Sequence, residues 1–256
     1  MMSTLAMPLT SVHAFADSFA PHIMTARPPT PADPAHLSEL IEHYCSPEWK
    51  ELLRERNTVL TFRTGEHIFR SGDHADRMFM IARGCVKVTA KLTSDTERII
   101  RLAGDGEVLG HRAIGDEPVY AATATALTAT EVNSIPMPLF LNTLKANGAF
   151  CYQFLLFFAE DMRRLEQQMR DLSRLDVTGR VARVIKLNMD TFGFDVKQPG
   201  KLAFTLSRRD IANAAGTTYE SVIRTLAQLH RRRIITLAGK EIHIRNAMAL
   251  VKLISH

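Results

Sequence analysis

Tyr219, Glu220, Ser221, Ile223 and Arg224 fall within six residues of one another. On a helix Glu220 and Arg224 are neighbours four apart on one face. An arginine fork can donate to O6 and N7 of guanine, and a carboxylate can accept from the N4 amine of cytosine. Glu220 can also hold Arg224 in place. Tyr219, Ser221 and Ile223 would tune flanking bases. Arg208, Thr218 and Lys240 are suited to phosphate oxygens, which fix register without reading sequence. The chemistry implied is non-covalent: recognition of base edges in a major groove.

That chemistry needs a short helix presented at a fixed angle. Ser207 is an N-cap residue and Asp210 stands three residues on, a capping box in type. Ile211, Ala214 and Ala215 form an apolar face, and Gly216 is suited to end the helix and turn the chain. Thr217 or Thr218 can cap a second helix, with Val222, Leu226 and Leu229 facing inward. Tyr219, Glu220, Ile223, Arg224 and Gln228 face outward. The pattern is a helix-turn-helix. Arg231, Arg232 and Arg233 follow, then IITL and EIHI flank Ala238-Gly239-Lys240, two strands around a tight turn. This is the wing of a winged helix, with Lys240 at its tip. Residues 176–256 carry 14 Lys and Arg against 6 Asp and Glu, a net of +8 on a chain of +5. A basic end on an otherwise slightly acidic chain is the footprint of polyanion binding.

The rest of the chain must position two such readers. Its 256 residues suggest two domains, and 46% hydrophobic content suffices for their cores. Cys45, Cys85 and Cys151 are too few and scattered for a disulfide framework or zinc site, and fit a reducing cytoplasm. No apolar run reaches 18 residues, so no membrane partner is expected. Residues 1–34 hold six of the 11 prolines and read as a flexible leader. Without a basic start it does not read as a secretory signal, although a targeting role stays open. Residues 35–55 read as helical, with Leu37, Leu40, Ile41 and Tyr44 on one side. From Val59 to Pro136, short β-rich runs such as RMFMIAR and CVKVTAKL alternate with glycine turns, predicting a sandwich or roll. Such a roll can enclose a ligand or be purely structural.

Cys151, Leu155, Phe158, Met162, Leu165, Met169 and Leu172 are spaced 4, 3, 4, 3, 4, 3. This a/d stripe is the seam of a coiled coil, and its simplest partner is a second copy in a homodimer. Phe150, Phe154, Leu156 and Phe157 broaden the apolar face toward the roll. Leu172 to Asp176 reads as a hinge, Val177 to Phe192 as another amphipathic helix, and 193–201 as a loop. The predicted division is leader 1–34, sensor roll with flanking helices 35–147, dimerisation helix and hinge 148–175, and winged helix 176–256.

With IFRSGDHADRMFMIARGCVKV, GDGEVLGHRAIG, the heptad helix and LSRRDIANAAGTTYESVIRTLAQLHRRRII in order, the chain resembles the cyclic-AMP receptor/FNR (Crp/Fnr) family of bacterial transcription regulators. The wording GHRAIG and TTYESVIRTL is most similar to the FNR-like branch common in Bacteroidetes. The resemblance implies an α+β fold: an N-terminal cyclic-nucleotide-binding-like roll (a double-stranded β-helix), a long dimerisation helix and a C-terminal winged helix-turn-helix. It implies double-stranded DNA with an inverted repeat and RNA polymerase as partners. It also marks Gly110, His111, Arg112, Tyr120 and Ala121 as the candidate effector pocket. Cyclic-nucleotide-binding members use Gly-Glu and then Arg-Ser or Arg-Thr, the Arg pairing with the cyclic phosphate. Here His111 follows Gly110, and Tyr120-Ala121 stands where Arg-Ser is expected. Tight cyclic AMP binding is therefore not expected. His111 and Arg112 leave another anion open, and side chains such as Tyr120 and Leu127 could instead fill the pocket. Iron–sulfur members need four cysteines, so no such cluster is expected with three. Ten histidines leave haem open.

Two other classes compete with a DNA-binding regulator. One is a roll whose winged helix grips a protein; the basic wing and the Glu220/Arg224 pair argue against it. The other is an enzyme, but the chain has no nucleophile elbow, phosphate-cradling glycine loop, HExxH or DxDxDG. No metal-ligand or catalytic constellation is expected.

Overall fold

The computed structural model describes residues 37–93 and 96–255. The expected leader lies outside them. Helices α1 (Leu37–Tyr44) and α2 (Pro47–Arg56) come first. The single helix expected over 35–55 is broken because Pro47 cannot continue α1 and instead starts α2, where its missing N–H costs nothing. Leu37, Leu40 and Ile41 are buried as expected, but Tyr44, at the broken end, is exposed.

The roll contains β1 (Thr58–Phe62), β2 (His67–Phe69), β3 (Arg77–Arg83), β4 (Val86–Lys91), β5 (Glu97–Ala103), β6 (Val108–Leu109), β7 (Thr123–Ala126) and β8 (Thr130–Pro136). They form two four-stranded antiparallel sheets, ordered β1-β8-β3-β6 and β2-β7-β4-β5. A short 3-10 turn, His111–Ala113, follows β6. Strand β3 shows how the sequence builds two cores at once. Phe79 and Ile81 face the roll interior, while Met78 and Met80 face the helical layer. The period of two puts alternate residues on opposite faces, and here both faces are covered.

Helix α3 (Met137–Ala146) leads into α4 (Gly148–Arg174), whose 27 residues extend about 40 Å. Phe150 and Phe154 anchor its first turns beside Phe140. Helix α5 (Val177–Phe192) follows after only Leu175 and Asp176. The hinge expected over Leu172–Asp176 is thus shorter. Asp171, on the last turns of α4, accepts from Arg183 at 2.8 Å and from Gln167 at 2.7 Å, which keeps those turns helical. The reader is α6 (Arg208–Ala215), α7 (Tyr219–Arg231), the β9/β10 hairpin (Ile235–Ala238 and Glu241–Ile244) and α8 (Ala247–Lys252). Among the described residues no helix is long and apolar enough to cross a membrane.

Candidate nucleic-acid interface and effector pocket

The reader's local geometry follows its sequence closely. Ser207 Oγ accepts from the Asp210 N–H at 3.0 Å and donates to its carboxylate at 2.6 Å, closing the start of α6. Gly216 ends α6 in the left-handed region at φ 58°. Its N–H reaches Asn213 O, and the Thr217 N–H reaches Ala212 O, a Schellman turn. Of the two threonines offered as a cap, Thr218 serves, accepting from the Ser221 N–H.

Val222, Leu226 and Leu229 are buried, so the opposite side of α7 is presented outward. Tyr219, Glu220, Ile223, Arg224 and Gln228 are exposed, with Ser221 half-buried between them. Arg224 takes a different neighbour from the one expected. Its guanidinium donates to Ser221 Oγ at 3.3 Å, three residues back, so Ser221 props it. The hairpin turns through Gly239 and Lys240, which leaves Lys240 exposed at the tip. Arg208, expected at a phosphate, also bonds the wing tip, donating to Lys240 O at 3.1 Å and Gly239 O at 3.4 Å. It holds α6 and the wing together on the basic face.

The expected dimer seam divides in two. Cys151, Leu155, Met162 and Met169 are exposed, and Leu165 and Leu172 are half-buried. Leu155 is 60% and Met169 64% exposed. Phe158 instead turns its ring edge toward His111, at a centroid distance of 6.0 Å.

The pocket residues are placed less as expected. His111 is almost fully buried. Its Nε2 donates to Asp161 Oδ2 on α4 at 2.9 Å, and Arg112 Nε donates to the same oxygen at 2.9 Å. The two groups that could have met an outside anion already hold an internal one. Burial pushes the His111 imidazole below its ordinary pKa; the hydrogen bond to Asp161 opposes this and the charge of Arg101 adds to it. Nδ1 is buried without a partner. Protonating it would bury an unmatched N–H, which also favours the neutral ring. Burial would raise the Asp161 carboxyl, but hydrogen bonds from His111 and Arg112 outweigh it and hold the group well below the usual range.

Tyr120 lies in the roll core, stacked on Phe69 with centroids 4.1 Å apart, and its hydroxyl donates to Arg77 O at 2.6 Å. Gly110, at φ 83°, is required beside it, since an added Cβ would lie 3.1 Å from the Tyr120 ring. Ala121 is exposed at the bend after Tyr120. One expectation fails here. Leu127 packs against the winged-helix core instead of the pocket. Asp161 and Phe69 carry no motif of their own. Only the folded chain brings them to His111 and Tyr120.

The chain is similar to known proteins along most of this length. The model of the cyclic nucleotide-binding domain matches residues 59–147, and that of the Crp-like helix-turn-helix domain matches 179–253. The CRP-like cAMP-activated global transcriptional regulator of Mycobacterium tuberculosis is 26% identical over 191 residues, covering 75% of this chain and 85% of that protein. The global nitrogen regulator of Nostoc is 25% identical over 194 residues, covering 75% and 87%. The structure of FixK2 from Bradyrhizobium japonicum superposes with a TM-score of 0.69 at 27% identity, covering 77% of this chain and 96% of that one. With roll, long helix and reader in this order, the chain belongs to the Crp/Fnr family of DNA-binding transcription regulators.

Proposed function

We propose that the protein is a homodimer that reads an inverted-repeat operator, and that its roll does not bind cyclic AMP in the usual way. The observation that carries the reading is the pairing of an exposed, capped α7, bearing Glu220 and Arg224, with an apolar stripe left open along α4. A second copy on that stripe buries Leu155, Met162, Leu165 and Met169 and relates two α7 helices by a two-fold axis. Two readers about 34 Å apart then meet successive major grooves. In this reading residues 35–147 form the sensor, 148–175 the dimerisation helix and hinge, and 176–256 the reader. RNA polymerase as a further partner and action in the cytoplasm belong to the same reading.

The pocket supports the negative half. A buried cyclic phosphate needs a paired donor, because an unpaired buried charge is expensive. Tyr120 occupies the interior where the family places an arginine, and His111 and Arg112 are engaged with Asp161. Selection from a random DNA pool should return an inverted repeat. Binding that vanishes with salt and shows no sequence preference would overturn the DNA reading. Titration calorimetry should show no binding of cyclic AMP or cyclic GMP. A low-micromolar dissociation constant for either would overturn the pocket reading.

A further inference from the structure

Strand β5 is one edge of its sheet, and α6, the first helix of the reader, lies along it. The Asn213 side chain on α6 accepts from the Ile99 N–H at 2.6 Å and donates to Glu97 O at 2.8 Å. A primary amide here takes the place of a neighbouring strand's peptide, matching one outward donor and one outward acceptor two residues apart. On the next strand, Lys87 Nζ meets Asp210 Oδ1 at 2.6 Å. Arg98 of β5 lies over Gly216, where an added Cβ would be 3.1 Å from its guanidinium. Ile99 and Leu102, also from β5, are buried within the winged-helix core.

Covering a sheet edge needs only an apolar helix. A two-point amide bond does more: it fixes the position of α6 along the strand to a single residue, because a shift of one residue presents the wrong backbone groups. Resting on the DNA reading proposed above, we propose that Asn213 and the Lys87–Asp210 pair are positioning residues that lock the reader to the roll and so set the half-site spacing the dimer accepts. Without them the reader is held by the apolar contacts of Ile99 and Leu102, which set no register, and by the two-residue hinge Leu175–Asp176, steadied by Arg183 on Asp171 and by Arg180 on Leu175 O. Inserting one base pair moves a half-site by about 3.4 Å along the DNA axis and turns it by about 35°. A locked reader cannot follow that change, whereas a released one can.

The test uses the full chain and a series of operators whose half-site separation differs by one base pair in each direction. The native protein should favour one spacing by about tenfold or more. Asn213→Ala, Lys87→Ala and the double variant should bind the three spacings within about twofold of one another, while affinity for a single half-site is unchanged and Lys87→Arg restores the preference. The half-site measurement separates repositioning from misfolding of the reader. A second readout is hydrogen exchange at the Ile99 amide, which Asn213→Ala should accelerate. Spacing preference retained in the double variant, or no change in exchange at Ile99, overturns the proposal. Absence of sequence preference in the native protein instead overturns the DNA reading, and exchange at Ile99 then still decides whether the clasp exists.

Discussion

Asp161 is a polar link between the roll and the long helix, and its removal has a calculable cost. Its side chain is 12% exposed and receives Nε2–H of His111 and Nε–H of Arg112 on one oxygen. In Asp161→Ala the His111 ring, 2% exposed, loses the one hydrogen bond it makes among the described residues and keeps two unmatched nitrogens. An orphaned buried group of this kind costs about 1–3 kcal/mol. Arg112 is 29% exposed, so water takes over much of its loss, and its share is about 0.5–1 kcal/mol. The expected destabilisation is therefore about 1.5–4 kcal/mol, or roughly 3–16 °C in Tm for a chain of this size. Asp161→Asn keeps one acceptor and should lose about half as much. The assay is urea unfolding followed by circular dichroism at one fixed protein concentration, because the stability of the proposed dimer would depend on concentration. A cycle with His111→Ala should give a coupling of about 1–2 kcal/mol. Additivity of the two substitutions, or an Asp161→Ala protein as stable as the native one, would show that the helix is held by apolar packing alone.

The Met162→Glu/Leu165→Glu double variant should sediment as a monomer and lose operator binding, whereas a native protein that is monomeric at micromolar concentration would refute the seam. Arg224→Ala should cost about 1–3 kcal/mol on the operator and relax preference at one base pair. Lys240→Ala should weaken all sequences alike and reduce the salt slope by about one; competition binding on operator and random DNA at several salt concentrations separates the two effects. The depressed His111 pKa adds stability that is present above the ordinary imidazole value and lost as pH falls through it. Between about pH 7 and 5 the native protein should lose up to about 1.4 kcal/mol per pH unit from this group, facing Asp161, Arg101 and Arg112. In His111→Gln that share of the slope should vanish; an unchanged pH profile of Tm would refute it.

The reader was legible in the chain because every signal for it is local. A cap, a glycine that ends a helix, a threonine that starts the next and a two-residue hairpin turn act within a few residues of themselves, so Ser207, Gly216, Thr218 and Gly239 specify their own conformations. The apolar stripe of α4 was legible as well, since a heptad spacing is a property of one helix. Strand β7 was harder to see, because the two alanines of TATA are weak strand formers and the short run pairs where β2 and β4 flank it.

What the tertiary structure decided are the contacts between residues far apart in sequence. Glycine and arginine patterns did not point to Asp161, 50 residues from His111, or to Phe69, 51 residues before the tyrosine it stacks on. A helical aspartate among arginines reads as a solvated surface group until the 3-10 turn of His111 is laid against it. Asn213 likewise reads as an ordinary polar residue in a short helix. Its amide becomes a strand's substitute only because β5, 114 residues earlier, is an edge strand and the fold brings α6 to that edge. Local conformational preference is set by the residue and its immediate neighbours. The meaning of a polar side chain is set by which unpaired donor or acceptor the rest of the chain places beside it.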